Sequence, residues 1–173
     1  MKTLVDQLTK YATYHRDRRN IATHLIGIPM IVVAIAILLS RPGVTAGGML
    51  LTPALALTGA TVLYYLMLDV RFGLVMSILL VLVLWAGNVL AAQSTGIWLG
   101  AGLGLFVVGW IFQLLGHVYE GKKPAFVDDL TGLIIGPLFV VAEVGFAMGM
   151  RVEIEEQIEQ RAGPIRSVKP QTT

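Results

Sequence analysis

The chain holds three histidines, His15, His24 and His117, and no cysteine. The lack of cysteine excludes disulfides, thiolate metal sites and cysteine nucleophiles. What remains is imidazole chemistry. Neutral imidazole is a common ligand for iron, zinc and copper, and three of them can hold one metal ion while leaving coordination positions open. A ligating histidine also needs a partner for its other ring nitrogen, and Asp17, Asn20, Gln113 and Glu120 are near enough in sequence to serve. Dinuclear membrane oxygenases built on histidine clusters need many more imidazoles, so at most one metal per chain is expected.

Spacing supports a shared site. Gln113, His117 and Glu120 fall at i, i+4 and i+7, on one face of a helix and aimed at one place. Glu120 could add a carboxylate ligand or could hold a histidine from behind. His15 and His24 are nine residues apart, about 900° round a straight helix, and so on opposite faces. They can converge only if the chain turns between them. The charged run "RDRRN" supplies that break, with Asn20 as a candidate cap for the helix that follows. Against this stands a plainer reading, in which each histidine is an isolated hydrogen-bonded residue at headgroup level. Glu143 lies inside an apolar run, where an ionisable group costs a few kcal/mol and tends to be functional or paired. It could be protonated, could pair with an arginine, or could border the metal.

The elements that must position these residues are membrane helices. Of 173 residues, 55% are hydrophobic and only 14% are charged, against about 25% in soluble domains. Mean hydropathy is +0.75. No charge falls between Arg19 and Arg41, between Arg41 and Asp69, or between Arg71 and Glu120. A span needs about 20 apolar residues, each rising roughly 1.5 Å, so the last gap has room for two. The fold class expected is all-α, a polytopic transmembrane bundle. Its five hydrophobic helices should run near Ile21–Leu39, Met49–Leu68, Phe72–Ala92, Ile97–Leu115 and Leu130–Met150. Ahead of them, Leu4, Val5, Leu8, Tyr11, Ala12 and His15 form one stripe of an amphipathic helix. The first apolar run lacks a small-residue cleavage pattern and reads as a retained span. Residues 1–152 form a single membrane-embedded domain and 153–173 a polar tail, expected to be helical and then disordered. Gly100/Gly104 and Gly145/Gly149 are small-xxx-small pairs suited to close helix packing.

Lysine and arginine placement sets the orientation. With five spans, Lys2, Lys10, Arg16, Arg18, Arg19, Arg71, Lys122 and Lys123 share one side, which is expected to be cytoplasmic and to carry the histidines. The tail's Arg151, Arg161, Arg166 and Lys169 would then face outward. That conflict is relieved if the last span is re-entrant near Gly136-Pro137 or if the tail's glutamates offset its charge. The small net charge of +2, flanking spans, argues for topology rather than nucleic-acid binding.

Three stretches carry a family resemblance. "YHRDRRNIATHLIGIP" (Tyr14–Pro29), "QLLGHVYEGKKPA" (Gln113–Ala125) and, more weakly, "GPLFVVAE" (Gly136–Glu143) resemble the signatures of a family of small membrane proteins. Its fungal members are dioxygenases that turn phytosphingosine-derived fatty acids into odd-chain ones. The likeness covers about residues 3–150, and the chain departs from the fungal pattern at Arg16, where that pattern carries a further histidine. The resemblance implies an oxidoreductase with one Fe(II) per chain that needs no 2-oxoglutarate. It implies α-oxidation of a 2-hydroxy fatty acid with molecular oxygen, giving the acid one carbon shorter plus carbon dioxide. On that footing His15, His24 and His117 are the iron ligands and, with Glu120, the catalytic set. Asn20, Gln113, Glu143, Arg19 and Lys122 surround the metal or the substrate. The partner is the lipid bilayer, as a cell inner membrane in a bacterium or endoplasmic reticulum in a eukaryote, and the oligomeric state is open. Two other classes stand beside this one. A small transporter or channel would show midplane charges and inverted repeats, of which only Glu143 is present. A non-catalytic, lipid-organising bundle would use the histidines as interfacial anchors.

Overall fold

A computed structural model describes residues 2–166. The end of the expected polar tail, 167–173, lies outside the described residues. The fold is almost wholly helical: α1 Leu4–Ala12, α2 Arg18–Ser40, α3 Pro53–Leu68, α4 Val70–Ala91, α5 Thr95–Glu120, α6 Thr131–Ala147 and α7 Val152–Ala162, with a single 3₁₀ turn at Ala125–Val127. All five expected apolar helices form. Of these, α2, α4 and α5 are long and apolar enough to cross a membrane. The 16 residues of α3 are short for a span, and α6 with α7 makes a pair bent by 115°. The bend falls at Met148–Arg151 and not at Gly136-Pro137, because α6 continues through Pro137.

Packing divides the chain into two compact units, one of residues up to Ile28 and from Ile111 onward, the other Pro29–Trp110. In the second unit α3 packs on α4, whose Gly73 lies against the Leu66 backbone. Gly87 of α4 meets the Ala36 backbone of α2. The close approaches are therefore not at Gly100 and Gly104, which face open space, nor at Gly149, which sits in the turn after α6. Leu63, Met67, Ile78, Leu82 and Trp85 are left exposed, an apolar surface that suits lipid and not water. The stretch expected to begin a span at Met49 instead closes a hairpin, β1 Val44–Ala46 with β2 Met49–Leu51. Gly47 and Gly48, both at positive φ, supply the tight two-residue turn that such a hairpin favours.

The first unit holds every candidate site residue. α1 begins in a capping box, in which the Thr3 hydroxyl accepts from the Asp6 amide and the Asp6 carboxylate accepts from the Thr3 amide. It buries Leu4, Leu8, Tyr11 and Ala12 against α6 and α7. α2 starts at Arg18, earlier than expected. Asp17 caps it by accepting from the Arg19 amide at 2.8 Å, which leaves Asn20 free for another task. α5 runs five residues past Leu115 and ends at Glu120, ahead of Gly121 at φ 69°. Its last turns carry Gln113, His117 and Glu120 together, as their spacing predicts. Because Leu8 is fully buried, Leu8→Ala should cost about 2–5 kcal/mol. A lower denaturation midpoint in detergent checks this, and an unchanged midpoint would mean that α1 is not docked.

Candidate metal centre

The three histidines meet. Their ligand nitrogens all lie within 4.8 Å of one another, and the residues are 0%, 1% and 8% exposed for His15, His24 and His117. The ring planes are steeply inclined, at 70° for His15 and His24, 67° for His15 and His117, and 84° for His24 and His117. Nitrogens from three differently oriented rings can therefore point at one spot.

The tautomers follow from the backbone. His15 Nδ1 is 2.8 Å from the Tyr11 carbonyl and His24 Nδ1 is 2.9 Å from the Asn20 carbonyl. A carbonyl only accepts, so each Nδ1 carries the ring proton. Each Nε2 of a neutral ring is then a bare lone pair, and the two Nε2 atoms face each other at 3.0 Å. Two lone pairs repel at that distance; a cation bound by both removes the conflict. Nitrogens held at about 2.1 Å by one metal and roughly at right angles lie about 3 Å apart. Burial beside His24 pushes His15 well below the usual imidazole range and keeps it in the neutral, ligating form. Gln113 Nε2 and Asn20 Oδ1 are buried with no partner among the described residues. Buried polar atoms are nearly always paired, so two orphans beside one cluster fit a site completed from outside the chain. On these observations the residues fit a metal ion.

Glu120 is committed elsewhere. Its Oε2 accepts from the backbone amides of Arg16 at 2.9 Å and Asp17 at 2.7 Å and from Asn20 Nδ2 at 3.1 Å, while its Oε1 pairs with Arg166. The carboxylate thus fastens the loop that carries His15. Asn20 serves His24 through its backbone carbonyl, and its side chain ties Glu120 to the Tyr14 carbonyl. Arg19 pairs with Asp17 and lies over the Tyr119 ring, and Lys122 donates to the Thr13 carbonyl at 2.7 Å. Both side chains contact the loop that carries His15. Glu143 lies 3.6 Å from the Arg16 guanidinium, so an arginine stands beside it in the apolar helix.

Several contributors were not singled out by spacing. Tyr11 stacks on His15 with ring centroids 4.1 Å apart and planes 6° from parallel, and Phe139 closes against both. Tyr11 belonged to the α1 stripe, so its burial was legible but its stacking was not. Arg166 had no signal at all, since its partner Glu120 is 46 residues away. Gly116 is a point of close approach between α5 and α2. A Cβ there would stand 2.4 Å from Asn20 Oδ1 and 3.0 Å from His24 Nδ1.

The 2-hydroxy-palmitic acid dioxygenase Mpo1-like family model matches residues 1–148. The chain belongs to the Mpo1-like family. A relative, the 2-hydroxy-palmitic acid dioxygenase MPO1 of Saccharomyces cerevisiae, is 31% identical over 158 residues, covering 90% of this chain and 87% of that protein. No solved structure matches. The region shared with the Mpo1-like model contains all three histidines, Glu120 and Glu143, and stops before α7.

Gly116→Ala should force α5 away from α2, at about 1–3 kcal/mol, and should spread His117 from His24. Metal titration of the purified variant checks this: affinity should fall, and wild-type affinity would show that the helices give way without disturbing the imidazoles.

Proposed function

We propose that this protein is a 2-hydroxy fatty acid dioxygenase that holds one Fe(II) on His15, His24 and His117 and carries out α-oxidation. The facing Nε2 lone pairs of His15 and His24 carry the reading, and the named activity of the yeast relative supplies the substrate class. The overall change balances without a further reductant. The bond between C1 and C2 breaks, C1 leaves as carbon dioxide, and C2 becomes the carboxyl carbon of the shortened acid. Dioxygen is reduced, its atoms entering the products and one water, and the hydroxy acid supplies all the electrons. No 2-oxoglutarate is needed.

Bound by the three imidazoles, Fe(II) would supply the one-electron chemistry that dioxygen requires. The protein's own groups do the rest. The carbonyls of Tyr11 and Asn20 fix both ring tautomers, so the histidines present lone pairs without waiting for a proton to leave. Tyr11 and Phe139 wall the His15 ring and keep water from that side. Gln113 Nε2 has a donor to offer an oxygen of the bound acid. Among the described residues Lys122 pairs with no carboxylate, and we assign its ammonium to the charge of the substrate carboxylate. The acyl chain would run among apolar helices, which gives an enzyme of this substrate class a reason to live in the bilayer.

The test is metal content and turnover of detergent-purified protein made without a polyhistidine tag. About one iron per chain and release of carbon dioxide from a 2-hydroxy fatty acid under oxygen are expected. His15→Ala, His24→Ala and His117→Ala should each reduce both to background. Stoichiometric iron in any one variant removes that residue from the ligand set. No metal uptake by the wild type, even after anaerobic loading with Fe(II), overturns the proposal.

A further inference from the structure

His15 sits on a stretch, 13–17, that belongs to no helix. Such a segment does not fix its own geometry; neighbours must hold it. Two anchors, both more than a hundred residues further along the chain, do so. Glu120 receives the amides of Arg16 and Asp17. The segment after α7, Gly163–Arg166, lies alongside as a strap: the Arg166 amide donates to the Arg16 carbonyl at 2.7 Å, and the Arg18 amide donates to the Arg166 carbonyl at 3.2 Å. These two bonds make a parallel bridge astride Asp17. The Gly163 carbonyl accepts from Arg16 Nη1 at 3.1 Å, and Arg16 Nε in turn holds the carbonyls of Ala12 and His15. The two anchors are themselves joined, because the Arg166 guanidinium pairs with Glu120.

We propose that this strap is a positioning element of the histidine centre, in which Arg166 fixes Glu120 and through it the loop that carries His15. The inference rests on the histidines forming a metal site. It goes beyond the family likeness, since the strap lies after the last residue matched to the family model. Glu120's side chain is 0% exposed and Arg166's is 57% exposed. One partly exposed guanidinium therefore supplies a cation to a carboxylate sealed from water. Without it that buried negative charge loses its cation at Oε1, while the loop amides compete for Oε2 alone. The loop keeps its sequence but loses its register, and His15 moves relative to His24 and His117.

The experiment compares Arg166→Ala, Arg166→Lys and, as control, Arg161→Ala in the full-length, detergent-purified protein. Arg161 sits on α7 and pairs with the exposed Asp6, so its loss removes a guanidinium from the same part of the chain without touching Glu120. Co(II) serves as the probe ion, read by its visible spectrum and its affinity, and amide hydrogen exchange is read at Arg16 and Asp17. Arg166→Ala should weaken Co(II) binding about 10–100-fold, change the spectrum and speed exchange at those two amides. Arg166→Lys should restore much of each, and Arg161→Ala should leave all three near wild type. Unchanged Co(II) affinity and spectrum in Arg166→Ala overturn the proposal, whether or not exchange quickens. Equal effects from Arg161→Ala overturn it too, since they would reduce the strap to general stability. Should the wild type take up no Co(II), the metal reading fails by itself. Exchange at Arg16 and Asp17 then decides whether the strap holds the loop.

Discussion

Two neutral imidazoles face each other through Nε2 inside a protein only when something positive lies between them. Both Nδ1 protons are spoken for by backbone carbonyls, so neither ring can rotate its proton inward to make a hydrogen bond. The 3.0 Å contact is therefore a fixed demand for a cation or a shared proton. A shared proton would require an imidazolium in a place where burial disfavours charge. A metal ion would meet the demand, and the three-histidine cluster is compatible with one. Much of the first unit can be understood as the means of holding this unfavourable arrangement ready.

The means are polar, and that is unusual in a chain so apolar. Glu120, Asn20, Arg16 and Asp17 are all buried; Glu120, Asn20 and Arg16 bond backbone groups of the His15 loop or one another, and Asp17 is held by Arg19. A buried charge is tolerable when it is paired and fully hydrogen-bonded, and Glu120 with its three donors on Oε2 meets that condition. Arg16 does the same for carbonyls that Glu120 does for amides. Two of the loop's amides, those of Arg16 and Asp17, are thus answered by a carboxylate, and the His15 carbonyl by a guanidinium. Glu143 offsets the remaining charge of Arg16 from within α6.

Part of this could be read from the residues themselves. The i, i+4, i+7 spacing of Gln113, His117 and Glu120 placed them on one face, and α5 keeps them there. The gaps between charges marked the apolar helices to within a few residues. The break between His15 and His24 was legible in "RDRRN", though the cap fell to Asp17 because Asn20 is drawn to Glu120. The hairpin at 44–51 was not foreseen, although Gly47-Gly48 is a strong turn signal, because three-residue strands leave no periodicity to detect. Glycine pairs at Gly100/Gly104 misled for a related reason. Spacing says which residues share a face, and only packing says whether that face meets a helix or lipid.

The strap lay furthest from the reach of sequence reasoning. A tail of glutamates and arginines after the last apolar run has the composition of a solvated end, and nothing local distinguishes Arg166 from Arg161. What distinguishes them is the partner. Arg161 meets Asp6, an exposed carboxylate that water already serves, and such pairs contribute little. Arg166 meets a carboxylate that no water reaches. The same ion pair on paper is therefore a surface detail in one case and a determinant of loop geometry in the other. The difference arises from where α5 ends, since a Glu120 placed one turn further out would be in solvent and would ask nothing of the C-terminal segment.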